Sequence, residues 1–301
     1  MNPPFRIAGL AALLLSAAAS AQPVPQPIPV GMLESAPTLD GELGDWGASG
    51  WQQIAVAPTV KPEERSRLGL GAEDRNAVGK ATVELKAGVH GGIFHLAVRW
   101  ADDGEDSRGD VWSWNGRRYT RVRRHGDMFA VRFERSGDYD RSMLSGKSYE
   151  VDLWEWSAHR SQRAGIAGDY RHVITTALLD NAAEYTVEGV GTVFIKKFAD
   201  RGHSPFKSAR PPKTKQADEI DALTLSGKAD GSFADVRAAA RWRDGHWQLE
   251  LSRALDTGHD DDVVLPAGGT IVGQIAVFNH ADDEHKSVSE PLRFDLTAIR
   301  R

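Results

Sequence analysis

The sequence predicts a mainly β protein, built as an antiparallel β-sandwich with long loops and few short helices. Apolar and polar residues alternate with a period of two along several segments, which is typical of strands with one buried face. Two pairs of such segments are joined by short glycine-containing turns, and helical periodicity is scarce. The 301 residues can bury a large core, and we expect a single sandwich domain over residues 34–301.

The strands follow from this alternation. Residues 83–89 alternate regularly, Gly91-Gly92 interrupts the pattern, and it resumes over residues 94–100, which predicts a hairpin. A second hairpin is predicted over residues 236–251, where Asp244-Gly245 separates two alternating runs. Further strands are predicted at 129–133, from Val151, and at 271–278. The last of these is apolar almost throughout, so it should lie centrally.

Three stretches between these strands are polar and rich in glycine, proline and charge: residues 61–79, 101–126 and 200–232. They predict long irregular loops, and loops of this length in a compact β domain usually carry function or move.

The N-terminus has the pattern of an export signal. Arg6 precedes the apolar run from Ile7 to Ala19, and Ala19-Ser20-Ala21 provides small residues for cleavage near Ala21. The run is too short to span a bilayer, so a cleaved signal peptide over 1–21 and a periplasmic location are expected. Residues 22–33 alternate with proline and predict an extended leader, disordered or lying on the surface.

Composition excludes several classes of chemistry. The absence of cysteine excludes disulfides, thiolate metal sites, iron–sulfur clusters and covalently attached haem. The formal net charge of −5 does not indicate nucleic-acid binding, and no second apolar run is long enough to span a membrane.

The sequence contains no common hydrolase or nucleotide-binding motif. His280 and His285 are five residues apart, a spacing that suits neither one helix face nor one strand face, so a solvated loop is favoured over a metal site. The acidic run over residues 259–262 offers oxygen ligands for calcium, or it is a charged turn.

Two tryptophan pairs are more informative. Trp112 with Trp114, and Trp154 with Trp156, each place two indoles on one face of a strand. Such pairs either pack in a core or form a platform for a flat ligand, such as a sugar or a porphyrin. Composition does not choose between these alternatives.

Several segments in order resemble the haem-binding domain of the ethylbenzene dehydrogenase γ-subunit family, which also serves dimethylsulfide dehydrogenase and the chlorate and selenate reductases. The matching segments are Leu39-Asp40-Gly41 followed by Asp45-Trp46; Asp152 to Arg160 with Gly165; Asp235 to Ala238 with Trp242, Asp244-Gly245, Trp247, Leu249, Arg253 and Leu255; and Ile275 to Phe278 leading to His285-Lys286-Ser287-Val288-Ser289. The first is shared with family-9 carbohydrate-binding modules. The resemblance implies a sandwich like those modules or like immunoglobulin domains.

The resemblance implies a haem b, held without covalent bonds between a methionine and a lysine. Lys286 stands at the position of the family's axial lysine, and a lysine can bind iron only as the neutral amine, which burial favours. Met143, three residues before Gly146, is the nearest match to the axial methionine, and Met128 is the competing candidate.

Further cofactor contacts are expected from Trp154 and Trp156. Three histidines could bind the iron in place of the lysine or the methionine. These are His285, His159 and His125, since imidazole is the commonest haem ligand. Five arginines between Arg117 and Arg124 could pair with haem propionates or with an acidic partner, or they could simply keep a loop soluble.

Two protein ligands would leave the iron no open position, which favours electron transfer over catalysis. The resemblance therefore implies a non-catalytic electron-transfer subunit. Its partners would be a molybdopterin-containing catalytic subunit, an iron–sulfur subunit and a soluble c-type cytochrome. A relative that holds haem without a molybdenum partner is a second possibility. The alternative from another class is a sandwich module that binds a carbohydrate or another small ligand without haem.

Overall fold

The structure is a computed structural model, and it describes residues 24–71, 73–281 and 285–300. The predicted signal peptide and its cleavage site lie outside the described residues. No helix in this part of the chain is both long and apolar enough to cross a membrane.

The described residues form nineteen strands and a few short helical turns, which confirms the mainly β prediction. The strands are β1 Gln26–Met32, β2 Gln52–Pro58, β3 Ala81–His90, β4 Ile93–Ala101, β5 Val111–Trp114, β6 Tyr119–Val122, β7 Met128–Gly137, β8 Tyr149–Ser157, β9 Gly168–Thr175, β10 Ala183–Val187, β11 Gly191–Ala199, β12 Phe206–Ser208, β13 Glu219–Asp221, β14 Leu223–Leu225, β15 Arg237–Arg243, β16 His246–Ala254, β17 Thr270–Phe278, β18 Ser287–Ser289 and β19 Leu292–Asp295. The helical segments are the α-helix α1 Ser161–Ala164 and the 3₁₀ turns Leu43–Trp46, Pro62–Glu64 and Ser232–Ala234.

Fourteen strands join into one sheet that folds on itself as a sandwich. One half contains β10, β11, β9, β8, β7 and β17 in that order, and the other contains β3, β4, β16 and β15. The strands β18 and β2 connect the halves along one side, and β19 and β1 connect them again through further pairings. All pairings in the large sheet are antiparallel except those of β1, which runs parallel to β19 and β3.

Aromatic side chains from the facing strands meet in the core. The rings of Trp100 on β4 and Phe129 on β7 stack with centroids 5.7 Å apart, and Trp156 on β8 meets Trp247 on β16 at 4.9 Å. All four side chains are almost fully buried. Because aromatic pairs bury large apolar areas, this double layer is a main source of the fold's stability.

Both predicted hairpins are confirmed. Strands β3 and β4 pair through Gly91-Gly92, and β15 and β16 pair through Asp244-Gly245. Asp244 and Gly245 both have positive φ angles, which is what a two-residue hairpin turn requires. Strand β17 is central, as its continuous apolar character predicts, because it pairs with β7, β18 and β19.

The interpretation of residues 22–33 as a leader is wrong for Gln26–Met32, which form β1. Ile28 and Val30 are buried in the main core, while the intervening prolines alternate with them. Proline lacks an amide donor, but the apolar residues between prolines still share one face of an extended strand. The proline count therefore concealed a strand of the domain.

The segment from Leu39 to Trp46 docks on β16. The Nε1 of Trp46 donates to Oε1 of buried Glu250 at 2.8 Å, and the amides of Asp40 and Gly41 donate to its Oε2. Gly41 has φ +80° and sits so close to Ala240 that a Cβ would overlap its backbone. These contacts give the segment from Leu39 to Trp46 a structural role.

The long predicted loops contain small sheets of their own. Strands β5, β6 and β13 form one, and β12 pairs with β14. Trp112 donates to the carbonyl of Ala209, and Trp114 packs on Tyr119 at 5.1 Å, so this tryptophan pair holds a surface sheet together. The expectation of irregular structure in these stretches holds only in part.

Candidate functional site

A cavity of about 260 Å³ opens on the outer face of the first half of the sandwich. Its floor is the face of β7, β8 and β17 that points away from the core. Ala130 and Ala276 are direct neighbours across the β7–β17 pair, and Leu153 and Val288 flank them. These four side chains are small or medium-sized and buried, so the floor is apolar and leaves space above it.

Loops and neighbouring strands form the walls. The lining residues are Thr59, Val60, Leu70, Ala130, Arg132, Arg141, Ser142, Met143, Leu144, Leu153, Glu155, His172, Ala183, Tyr185, Ile195, Lys197, Gln274, Ile275, Ala276, Phe278, Lys286 and Val288. The predicted pair Met143 and Lys286, which are far apart in sequence, therefore line one cavity.

Met143 lies in the loop between β7 and β8, and Arg132 anchors this loop. Arg132 is buried on β7, and its Nη2 donates to the carbonyls of Asp140 at 2.9 Å and Arg141 at 3.0 Å. Its guanidinium also lies 5.1 Å from the ring centroid of Tyr139. Burial raises the pKa of Tyr139 to about 12, so this neighbour stays neutral at physiological pH.

The same loop is tied to the strand that follows Lys286. Arg141 Nε lies 3.0 Å from Oε1 of Glu290, and its guanidinium donates to the carbonyls of Val288 and Ser289. A second connection runs through Gln274, which accepts from Arg132 Nε at 2.8 Å and donates to Ser289 at 2.7 Å. The loop that carries Met143 and the strand next to Lys286 are thus held in fixed relation.

Gly146 ends this loop in a conformation that favours glycine. Its φ is +83°, and a Cβ there would lie 2.6 Å from the side chain of Val190. Any other residue would strain the backbone and push the hairpin of β10 and β11 away.

Lys286 is fixed through its backbone by residues 74–79. Asn76 Nδ2 donates to the carbonyl of Lys286 at 2.9 Å and to Oγ of Ser287 at 3.1 Å. The Nζ of Lys286 lies 5.5 Å from the ring centroid of Phe278, which lines the cavity. The side chain is therefore directed toward an apolar and aromatic wall.

His285, the neighbouring candidate, is directed elsewhere. It is buried, its Nδ1 accepts from the amide of Arg75 at 3.0 Å, and it lies 3.3 Å from Asp74. It does not line the cavity. Neither do His125 and His159.

The remaining candidates divide between the two faces of the sheet. Met128 is on the outer face and packs against Ala130 and Phe278, but it does not line the cavity. Trp154 and Trp156 are on the inner face with no exposed surface, and they pack in the main core. The structure corrects the expectation of a ligand platform, since these indoles contact other core rings instead.

One group of arginines lies away from the cavity, and two further arginines, which line it, were not predicted. The arginines between Arg117 and Arg124 lie at the small β5–β6 sheet, where Arg121 pairs with Asp110 and Arg124 pairs with Glu219. None of them lines the cavity. Sequence analysis missed Arg132 and Arg141, although a lone arginine in the apolar run of β7 is a signal of a buried polar contact.

An ion pair borders the cavity beside the alanine floor. Glu155 on β8 is buried and lies opposite Ala130 in the β7–β8 pairing. Its Oε2 is 2.6 Å from Nζ of Lys197, and its Oε1 is 3.4 Å from Nη2 of Arg160. The lining thus combines an apolar floor, a thioether, an amine, the imidazole of His172 and a few charged groups, of which Arg132 and Glu155 are buried.

Fold and site together define a β-sandwich with a cavity on its outer sheet face. Residues 48–289 match the family model described as ethylbenzene dehydrogenase, so the chain belongs to the ethylbenzene dehydrogenase family. This membership supports, at family level, a relative of the haem-binding electron-transfer subunits of molybdoenzymes. No protein with a curated description matches the sequence.

Among solved structures, the chain is similar to a carbohydrate-binding protein from Bacteroides uniformis ATCC 8492. The identity is 9%, the match covers 89% of this chain and 90% of that chain, and the TM-score is 0.39. A likeness of this size carries no argument about function.

The residues of the cavity fit the haem b associated with the family. Met143 offers a thioether sulfur and Lys286 an amine nitrogen, and both are atoms that can bind haem iron. The small apolar side chains of Ala130 and Ala276 on the floor suit an apolar macrocycle, and the absence of cysteine requires that it be held without covalent bonds. Met128 does not meet this test, because its side chain is outside the lining.

Proposed function

We propose that this protein is an exported b-type haem electron-transfer protein whose cofactor binds in the outer-face cavity, with Lys286 and Met143 as the axial ligands. The observation that carries the proposal is that these two residues line the same apolar cavity. Family membership supports the cofactor independently of that geometry.

When bound, haem b supplies a one-electron carrier. The chain's own residues would do the rest: Met143 and Lys286 hold the iron from two different segments, and the apolar floor excludes water. Arg132, Arg141 and Gln274 keep the two ligand-bearing segments at a fixed separation. With both axial positions occupied by protein, the site would relay electrons and perform no substrate chemistry.

Family membership suggests which proteins donate and accept these electrons. We propose that the protein serves as a subunit beside a molybdopterin-containing catalytic subunit and an iron–sulfur subunit, and exchanges electrons with a soluble c-type cytochrome in the periplasm. Co-purification from the native host tests this assembly. Recovery of the haem protein alone, under conditions that preserve other complexes, would favour a relative without a molybdenum partner.

The haem assignment is tested by spectroscopy of the purified protein. We expect a Soret band and sharp reduced α and β bands of a low-spin haem that acid acetone extracts. Lys286→Ala and Met143→Ala should each abolish the low-spin spectrum. Met128→Ala and Lys207→Ala are matched controls that leave it unchanged, because Met128 lies outside the lining and Lys207 is exposed on β12.

A colourless protein that stays colourless after haem addition would overturn the proposal and favour a module that binds another small ligand. An unchanged spectrum in either ligand variant would remove that residue as a ligand.

A further inference from the structure

A cluster of buried aspartates lies apart from the cavity. Asp152 on β8 and Asp169 on β9 have no exposed surface, and Asp262, in the loop before β17, is 9% exposed. One carboxylate oxygen from each of the three lies within 4.8 Å of the others. None of them lines the cavity.

The charge of this cluster is only partly balanced. Nη1 of buried Arg253 lies 2.7 Å from Oδ2 of Asp152, and 3.4 Å from both Oδ2 of Asp169 and Oδ1 of Asp262. Three carboxylates against one guanidinium leave a formal charge of −2. Buried charge without a counter-charge is strongly unfavourable, so the folded protein must bind either protons or a cation at this position.

Each carboxylate is oriented through one oxygen. Oδ2 of Asp152 accepts from the amide of Val263 at 2.8 Å, and Oδ2 of Asp262 accepts from the hydroxyl of Thr257 at 2.5 Å. The other oxygen, Oδ1, is buried without a hydrogen bond among the described residues in Asp152, Asp169 and Asp262, and only that of Asp262 has an ion contact, at 3.4 Å from Arg253. Buried polar atoms rarely lack hydrogen bonds in folded proteins, and three in one cluster indicate a missing ligand.

The neighbouring carboxyl of Asp200 also has one oxygen with a hydrogen bond and one without. Oδ1 of Asp200 accepts from the amide of Arg171 at 2.9 Å, while its buried Oδ2 has no partner in the described part of the chain. Burial and the charge of Asp152 raise the pKa of Asp200 to about 7, and burial raises that of Asp262 to about 6. Protons therefore compete with any cation that binds here.

We infer that Asp152, Asp169 and Asp262 form a structural calcium site. All three offer hard carboxylate oxygens, which Ca²⁺ prefers, and it tolerates the irregular geometry that Mg²⁺ does not. A divalent cation cancels the formal charge of −2 and gives the Oδ1 atoms of Asp152 and Asp169 a partner. The adjacent pair Asp235 and His259 needs no cation, because its side chains contact each other at 2.7 Å.

The test is calcium binding by the purified full chain after EDTA treatment and removal of the chelator. We expect one Ca²⁺ per chain by native mass spectrometry, and a rise in Tm of about 5 °C with calcium roughly 100-fold above its Kd. Mg²⁺ at the same concentration should give a clearly smaller shift. Tb³⁺ should show luminescence sensitised by Trp154, whose ring centroid lies 4.7 Å from Cζ of Arg253.

Asp169→Asn and Asp262→Asn should abolish the calcium-dependent shift. In EDTA both variants should be as stable as the original protein or more so, because each removes an unbalanced buried charge. The control Asp260→Asn should keep the full shift, since that side chain is 72% exposed and pairs with Arg201.

Absence of stoichiometric calcium and of any Tm shift in the original protein would overturn the inference. So would an undiminished shift in both aspartate variants, because the cation would then bind elsewhere. Neither result bears on haem binding, which is scored separately by its absorption spectrum.

Discussion

Strands β7, β8 and β17 have two faces that differ in size and chemistry. The inner face of β8 carries Trp154 and Trp156, which pack into a continuous aromatic core. The outer face carries Leu153 and Glu155, which border a cavity. Residues that differ by one position in sequence thus separate core packing from cavity lining, because successive side chains on a strand point to opposite faces.

The largest loss of stability should come from a substitution on the inner face. Trp156→Ala removes a buried indole that contacts Trp247 at 4.9 Å, and we expect the free energy of unfolding to fall by about 3–5 kcal/mol. Phe278→Ala, on the outer face, should cost less than half of that because part of the buried ring borders the cavity rather than packed side chains. Denaturant titration measures both, and equal losses would contradict the difference between the faces.

A smaller loss of stability is expected from substitution of Arg132, the buried residue that holds the Met143 loop. Arg132→Met leaves the carbonyls of Asp140 and Arg141 without their donor, and each unsatisfied group costs about 1–3 kcal/mol. We expect lower stability together with weaker haem binding. Arg99→Met, an outer-surface control with an exposed ion pair, should change neither by a measurable amount.

The buried aspartates should make the free energy of unfolding depend on pH. Burial raises the pKa of Asp102 and Asp200 to about 7 and that of Asp262 to about 6. These folded-state values lie above those of the unfolded chain, so the folded state binds more protons between about pH 4 and pH 7. In EDTA, stability should therefore fall as pH rises through this window.

Calcium should flatten that slope, because it replaces protons at Asp262 and its neighbours. Urea unfolding at several pH values, with and without calcium, measures the effect. Stability that rises with pH in EDTA would show that these carboxyls are ionised in the folded protein at acidic pH.

The smallest change in stability is expected at the cavity floor. Ala130→Leu adds a side chain that points into open space, so the free energy of unfolding should change by less than about 1 kcal/mol. Haem binding should nevertheless weaken at least 10-fold if the cofactor lies on this floor. Ala101→Leu, an exposed control on β4, should alter neither quantity.

Much of the fold could be predicted from the sequence, because alternation and turn chemistry are local signals. The hairpin around Asp244-Gly245 and the central position of β17 followed directly from them. Strand β1 could not be predicted, because its prolines obscured Ile28 and Val30, whose partners lie far away in the chain.

The site was less accessible to sequence reasoning. The pairing of Lys286 with Met143 came from a family resemblance, because nothing local shows that a loop and a distant strand meet at one cavity. Trp154 and Trp156 were placed at the ligand because two indoles on one strand face suit either a core or a flat ligand, and their segment resembles a family element. Both faces of β8 are buried, so the sequence alone does not say which one is the core. Arg132 and Arg141 act through backbone carbonyls. The position of Arg132 in an apolar run signals a buried polar contact, but it does not say which loop the contact holds.

The network of Arg132, Gln274 and Arg141 has a consequence for the speed of electron exchange. A carrier transfers electrons fastest when its surroundings reorganise little between the oxidised and reduced states, and ligands on rigidly supported segments meet that condition. Here the supports are buried hydrogen bonds between the Met143 loop and the strand next to Lys286. In the proposed haem site, these contacts would thus lower the reorganisation energy before any partner protein binds.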